Sequence, residues 1–211
     1  MTDFNNILNW KLLRGSHEFP GPDGGTCINE AAIIAAGFEY KSVKSWRDCP
    51  PCFSPITAQY AIIINDAMKD ADRHLLLPFV MKLAGTKATD EIEQARCLWL
   101  ARDIISTDVA ETMDILKIPD LADKCRSVET CGDVFTLSEA IKRAAYAYAY
   151  AYAYANAYAY AYAKANIVAE KFNKRAISRL TRLIEFHPGP EIETLVVCER
   201  LAKAKEMAGS P

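Results

Sequence analysis

The chain has 211 residues, 51% of them hydrophobic, with 25 Lys and Arg set against 27 Asp and Glu for a net charge of −2. That length holds one compact domain, or one domain with an appendage. The near-neutral balance gives no electrostatic footprint for nucleic acid or an anionic membrane, and no run of about 18 apolar residues reads as a membrane span.

The first residues, Met1-Thr-Asp-Phe-Asn-Asn, lack the basic and apolar regions of a signal peptide. Together with seven cysteines, this predicts a cytoplasmic chain whose thiols are reduced or ligate metal rather than pair as disulfides. Phe4–Leu13 reads as a short, mildly amphipathic opening segment, and Gly15–Gly25 as a proline-bearing loop. Thr26 is the expected N-cap of a helix Cys27–Ala36, with Asn29 and Glu30 in its first turn and Gly37 just past its end. Phe38–Val43 alternates weakly, as extended chain does, and Cys49–Cys52 reads as a tight turn. Ser54 before Pro55 makes a cap and first-position pair for a helix reaching about Met68. Leu75–Leu83 surrounds Pro78 and stops at Gly85. Thr89 or Asp90 caps the next helix. Val109–Leu116 is expected to stop before Pro119, and Leu121–Arg126 to form another short helix.

From Asp133 to His187 there is neither glycine nor proline. Thr136-Leu-Ser-Glu139 matches a capping box, so one helix of about 50 residues is expected from there, ~75 Å long. Its far part repeats Val168, Phe172, Ala176, Leu180, Leu183 and Ile184 at helical spacing. Glu191–Lys205 reads as a last amphipathic helix after Pro188-Gly-Pro190. Almost no strand signal is present, and the predicted class is all-α: a helical domain over 1–131, then a long helix and a C-terminal helix over 132–211.

Inside the long helix, alanine alternates with tyrosine at Tyr146, Tyr148, Tyr150, Tyr152, Tyr154, Tyr158, Tyr160 and Tyr162, with Asn156 interrupting once. A period of two is a strand signature. An unbroken strand of this length would reach ~55 Å, against a usual ~17–20 Å, and alanine favours helix over strand. The run is therefore read as helix. Residues two apart then differ by ~200°, so the tyrosines form two opposite bands. A slipped repeat tolerated on a solvated face is the plain explanation; a two-sided packing surface is the functional one.

Side chains able to ligate metal cluster at one place. His17, Cys27, Cys49 and Cys52 compose a Cys₃His set for structural zinc, with Cys49–Cys52 spaced as one knuckle. Ordinary buried thiols are the competing explanation. Cys27 also stands at a helix start, where the dipole lowers a thiol pKa. That makes it a candidate nucleophile, with His17 as base and Glu30 or Asp23 as orienting carboxylate. A zinc deaminase fits worse: Cys27 and Glu30 are spaced C-x-x-E, and Asp48, not proline, precedes Cys49. Cys97, Cys125, Cys131 and Cys198 have no spacing partner and are read as core.

Gly15–Ala31, Ala36-Gly37, Asp48–Ile56, Asn65-Asp66 and Pro78 through Gly85-Thr86 together resemble a family of uncharacterised bacterial and bacteriophage proteins. That family opens on G-S-H-x-x-P-G-P-D-G-G-x-C-x-x-E-A and often ends in alanine-rich repeats. The likeness covers roughly the first 120 residues. Cys49 departs from it, since the family pattern has histidine there; a His/Cys exchange keeps a metal ligand. The resemblance implies an architecture and a phage origin, not a reaction. The expectation is a non-enzymatic interaction protein with a zinc-held N-terminal domain. Its helical arm self-associates or docks on a host protein, with no nucleic acid and no membrane involved. A cysteine hydrolase using Cys27 and His17 is the alternative.

Overall fold

The structure is a computed structural model. It describes residues 11–17, 25–130, 132–134, 136–137, 140–141 and 158–186, and of 158–169 the backbone alone. Most of the opening segment, Asp23, the tyrosines before Tyr158 and the expected helix Glu191–Lys205 lie outside the described residues. Within them the fold is all-α. The helices are α1 (Ile28–Ala35), α2 (Pro55–Ala67), α3 (Asp90–Ile104), α4 (Ala110–Ile115), α5 (Pro119–Arg126) and α6 (Tyr158–Ile184), with further helical residues between 132 and 141. Among the described residues there is no strand, only one parallel bridge between Leu12 and Thr26.

The chain divides into two compact units, Met1–Glu93 with Ala165–Phe186, and Gln94–Lys164 with His187–Pro211. In the first unit α1 is buried on nearly every side, from Ile28 to Ile33 and again at Ala35, its polar Asn29 and Glu30 included. It packs on α2 and on a 3-10 helix, Arg73–Lys82. Its N-cap is Cys27, one residue later than the expected Thr26. The cause is long-range. Thr26 is held in the bridge, its carbonyl accepting from Leu13 N at 2.8 Å and its N–H donating to Lys11 O at 3.4 Å. Gly37 ends α1 in the left-handed region, φ 82°. The N–H of Gly37 bonds to Ile34 O, and that of Phe38 to Ile33 O, the paired closure that favours glycine there.

Ser54 caps α2 as expected, its Oγ accepting from Thr57 N at 3.1 Å, with Pro55 in the first turn. Pro78 sits inside the 3-10 helix. The tighter helix replaces a regular α-turn where proline lacks its N–H. On α6, Ala176, Leu180 and Leu183 are fully buried and Asn173 nearly so, the one-sided stripe that the spacing predicts.

In the second unit α3 runs through a π-turn, Ile105–Val109, straight into α4. Leu116 caps α4, Lys117 turns the chain at φ 58°, and Pro119 starts α5. Ala110, Met113, Ala122 and Cys125 close this hairpin's core. The following helical residues begin earlier than the box at Thr136 predicts. Thr130 Oγ1 accepts from Asp133 N at 3.2 Å, and Asp133 Oδ2 accepts from Thr130 N at 2.8 Å. Val134 N then bonds to Thr130 O, the first i→i−4 closure. Thr136 Oγ1 donates instead to Gly132 O within the turn. Both stretches carry the same three-residue spacing, and pattern alone does not rank them.

Candidate functional site

Glu30 is the centre of the motif-bearing region and has no exposed surface. Its Oε1 accepts from His17 N at 2.8 Å and Val43 N at 3.0 Å. Its Oε2 accepts from Cys27 N at 2.8 Å and meets His17 Nδ1 at 2.8 Å. Burying a carboxylate costs several kcal/mol unless it is paired and hydrogen-bonded. Here four donors from three chain segments supply that. The helix start fixes Glu30 at N3 of the capping box, and the loop before α1 and the segment after it close over it from opposite sides. Tyr40 Oη adds a bond to His17 O at 2.6 Å, and the Ser16 and Ser42 hydroxyls meet at 2.5 Å. Burial, then the Glu30 charge, pushes the Tyr40 phenol up to about 12.

Cys27 is 2% exposed, and its Sγ accepts from Glu30 N at 3.5 Å. Burial first, and the Glu30 charge second, push its thiol above the ordinary range, opposite to the lowering a helix start alone would give. Among the described residues no hydrogen bond joins the His17 ring to this thiol. Cys49 and Cys52 lie elsewhere, half-buried in the turn ahead of α2. Cys49 N bonds to Trp46 O, and Cys52 O accepts from Lys87 N. Burial, with the Asp48 charge next, pushes the Cys49 thiol up to about 12. The structure thus brings His17, Cys27 and Glu30 into one bonded cluster, with Cys49 and Cys52 in another turn. Among the described residues no three His, Cys, Asp or Glu side chains are grouped as metal ligands.

Two further polar nodes tie the first unit together. Arg73, 2% exposed, donates from Nε to Asn65 O at 2.8 Å, from Nη2 to Met68 O at 2.8 Å and from Nη1 to Leu12 O at 3.4 Å. Asn65 in turn accepts from Ile28 N and donates to Leu13 O, while Asp66 accepts from Gly15 N. In the other node Ser54 Oγ donates to Glu93 Oε2 at 2.5 Å, Ser54 N to Thr86 Oγ1, and Ala88 N to Glu93 Oε1. Asn65-Asp66, Ser54 and Thr86 all belong to the motif residues singled out in the sequence; Arg73 has no such signal.

Comparison with protein-family models, with curated proteins and with solved structures gives no match for this chain.

Proposed function

We propose that this chain is a non-enzymatic helical interaction protein that assembles with further copies of itself through its alanine/tyrosine helix. The supporting observation is α6. Its backbone is continuous from Tyr158 to Ile184, so the end of the tyrosine run belongs to the same helix as the packed stripe at Ala176, Leu180 and Leu183. Tyrosines two residues apart lie ~200° apart on a helix, so a single packed face does not serve both bands. The other band adds apolar area beyond what single chains usually leave in water. Tyrosine suits an interface because it offers a large contact area for little lost side-chain entropy. Light scattering on the full chain tests this. The expected mass exceeds the 23.5 kDa of one chain, and replacing the eight tyrosines by Gln returns it to that value. A single-chain mass at tens of micromolar overturns the reading.

A cysteine hydrolase is the second reading, favoured by one observation: His17 Nδ1 is held by Glu30, as a base is held by its orienting carboxylate. Against it stand the burial of Cys27 and the upward shift of its thiol. Iodoacetamide at neutral pH separates the two. Slow labelling of Cys27 in the folded chain is expected; rapid labelling lost in Cys27→Ser supports the hydrolase.

A further inference from the structure

Two thiols outside the Glu30 cluster share the turn ahead of α2. Cys49 and Cys52 stand three positions apart there, with Pro50 and Pro51 between them, and both are free and half-buried. The other described cysteines differ. Cys27 and Cys125 are buried, and Cys97 is exposed with no second cysteine within a turn of it in sequence. The chain bends at Cys49 and turns at Pro51 and Cys52, and Phe53 N donates to Pro50 O at 3.0 Å. Positions three apart across a turn have Cα atoms within ~7 Å of one another, and a disulfide joins Cα atoms ~4.4–6.8 Å apart. Burial first and the Asp48 charge next raise the Cys49 thiol, and the Cys52 thiol adds to the rise, so the two sulfurs lie within electrostatic reach of each other. The turn is also held from both sides. Cys49 N donates to Trp46 O at 3.1 Å, and Trp46 N to Gln59 Oε1 of α2 at 3.3 Å. Lys87 N donates to Cys52 O at 3.0 Å, and Ser54 N to Thr86 Oγ1 at 3.1 Å. The two prolines lock their own φ. Pairing the sulfurs therefore takes side-chain rotation and little backbone movement.

We propose that Cys49 and Cys52 are a dithiol–disulfide exchange site whose reaction partner is a small-molecule disulfide. The thiolate of one cysteine attacks a sulfur of that disulfide and expels one small thiolate, leaving a mixed disulfide on the chain. The second cysteine gives its proton to solvent and attacks the chain's own sulfur of the mixed disulfide, expelling the other small thiolate. The two expelled thiolates take up two protons. The chain is thus oxidised by two electrons and the small disulfide reduced by two. The ring so closed spans four residues. Cross-linking stabilises a chain less as the loop shortens, so this bond answers to redox conditions rather than serving as a structural staple.

The test holds the full-length chain in glutathione buffers that run from fully reduced to fully oxidised, quenches with acid and tags the remaining thiols with a maleimide. Trypsin releases Asp48–Lys69 as one peptide carrying both cysteines, and Cys97–Arg102 as another; mass spectrometry reads the two side by side. The expected result is loss of both tags from Asp48–Lys69, with a mass two hydrogens below that of the reduced peptide, at a glutathione ratio where Cys97 still takes its tag. Dithiothreitol restores both tags. Cys49→Ser and Cys52→Ser each halt the exchange at a glutathione adduct on the remaining cysteine, which the parent does not accumulate; circular dichroism confirms that both variants fold. A parent peptide that keeps its tags until Cys97 has lost its own overturns the proposal. So does a parent peptide carrying two glutathione adducts, or a bond from Cys49 or Cys52 to a second chain, since either shows that the two sulfurs do not meet within the turn.

Discussion

The two units are held by different means. In the first, fully or nearly buried charged groups take hydrogen bonds that cross long stretches of chain: Glu30 and Arg73 gather loop backbone, and Glu93 holds the Ser54 hydroxyl. In the second, α4 and α5 close on each other through Ala110, Met113, Ala122 and Cys125, and the ion pairs of Arg126 with Asp114 and Asp123 lie on the surface. The first unit has long connections whose N–H and C=O groups need partners once buried; a charge with several hydrogen-bonding sites serves several at once. The α4–α5 hairpin of the second has short helices whose backbone is satisfied locally, so apolar spacing suffices there. The contrast predicts that polar substitutions are costly in the first unit and that local backbone chemistry governs the second.

Arg73→Met gives the largest effect. It keeps the bulk and leaves the carbonyls of Leu12, Asn65 and Met68 without their donor. Orphaned buried groups cost ~1–3 kcal/mol each, and charge-assisted bonds lie near the top of that range. We expect a loss of about 4 kcal/mol, read as a fall of roughly 8–16 °C in melting temperature for a chain of this size. Glu30→Gln follows at about 3 kcal/mol, because its NH2 must face one of the two donor pairs, either the N–H groups of His17 and Val43 or Cys27 N with the His17 ring. Chelation sharpens the comparison. A zinc-held node loses its melting transition with its metal, whereas a node held by Glu30 keeps it. Melting curves of both variants and of chelated parent decide the matter; unchanged melting in Glu30→Gln would show that the node contributes little.

The same contrast explains what was legible in the sequence. The Ser54-Pro55 start of α2, the Gly37 stop of α1 and the buried stripe of α6 follow from residues within a turn of one another, and they stand where the spacing puts them. Glu30 was legible as a first-turn acid. Its pairing with the His17 ring was one of two offered by the hydrolase alternative, with Asp23 as the other; its bonds to the backbone N–H groups of His17 and Val43 were not legible, because they join residues 13 positions away on either side. The cap of α1 moved from Thr26 to Cys27 for the same reason: the Leu12 bridge is a tertiary fact. Arg73 defeats the sequence altogether, since arginine is almost never fully buried unless paired. The four soft ligands were read as one node because they are near in sequence, yet hydrogen bonds assign Cys27 and His17 to Glu30, and Cys49 and Cys52 to a different turn.

Tyr40→Phe probes the same node more gently and adds a pH dependence. Removing the hydroxyl loses its bond to His17 O, about 1 kcal/mol at neutral pH. The phenol is raised to about 12 from an ordinary value of 10.0, so the folded state holds its proton more tightly than the unfolded chain does. Unfolding then releases a proton between those values, and stability falls as pH rises through that window. The contribution is intact below pH 10 and lost above 12. The parent should lose melting temperature from pH 10 upward faster than Tyr40→Phe does. Parallel alkaline slopes would mean that Tyr40 titrates as it does in the unfolded chain.

The smallest effect has the opposite sign and belongs to the second unit. Lys117 follows the cap of α4 at φ 58°. Its N–H bonds to Asp114 O at 3.0 Å, and the next N–H, of Ile118, bonds to Met113 O at 2.9 Å. These two bonds define the left-handed closure in which glycine is the usual residue. A side chain there crowds its own carbonyl by ~1–2 kcal/mol, while glycine costs more entropy in the unfolded chain. The difference leaves Lys117→Gly more stable by about 0.5 kcal/mol, and the exposed lysine side chain takes no described contact with it. Urea denaturation with an unchanged slope and a higher midpoint is the expected result. A lower midpoint would mean that the turn is fixed from outside the hairpin, and the contrast between a locally determined second unit and a tertiary-bonded first unit would fail at this residue.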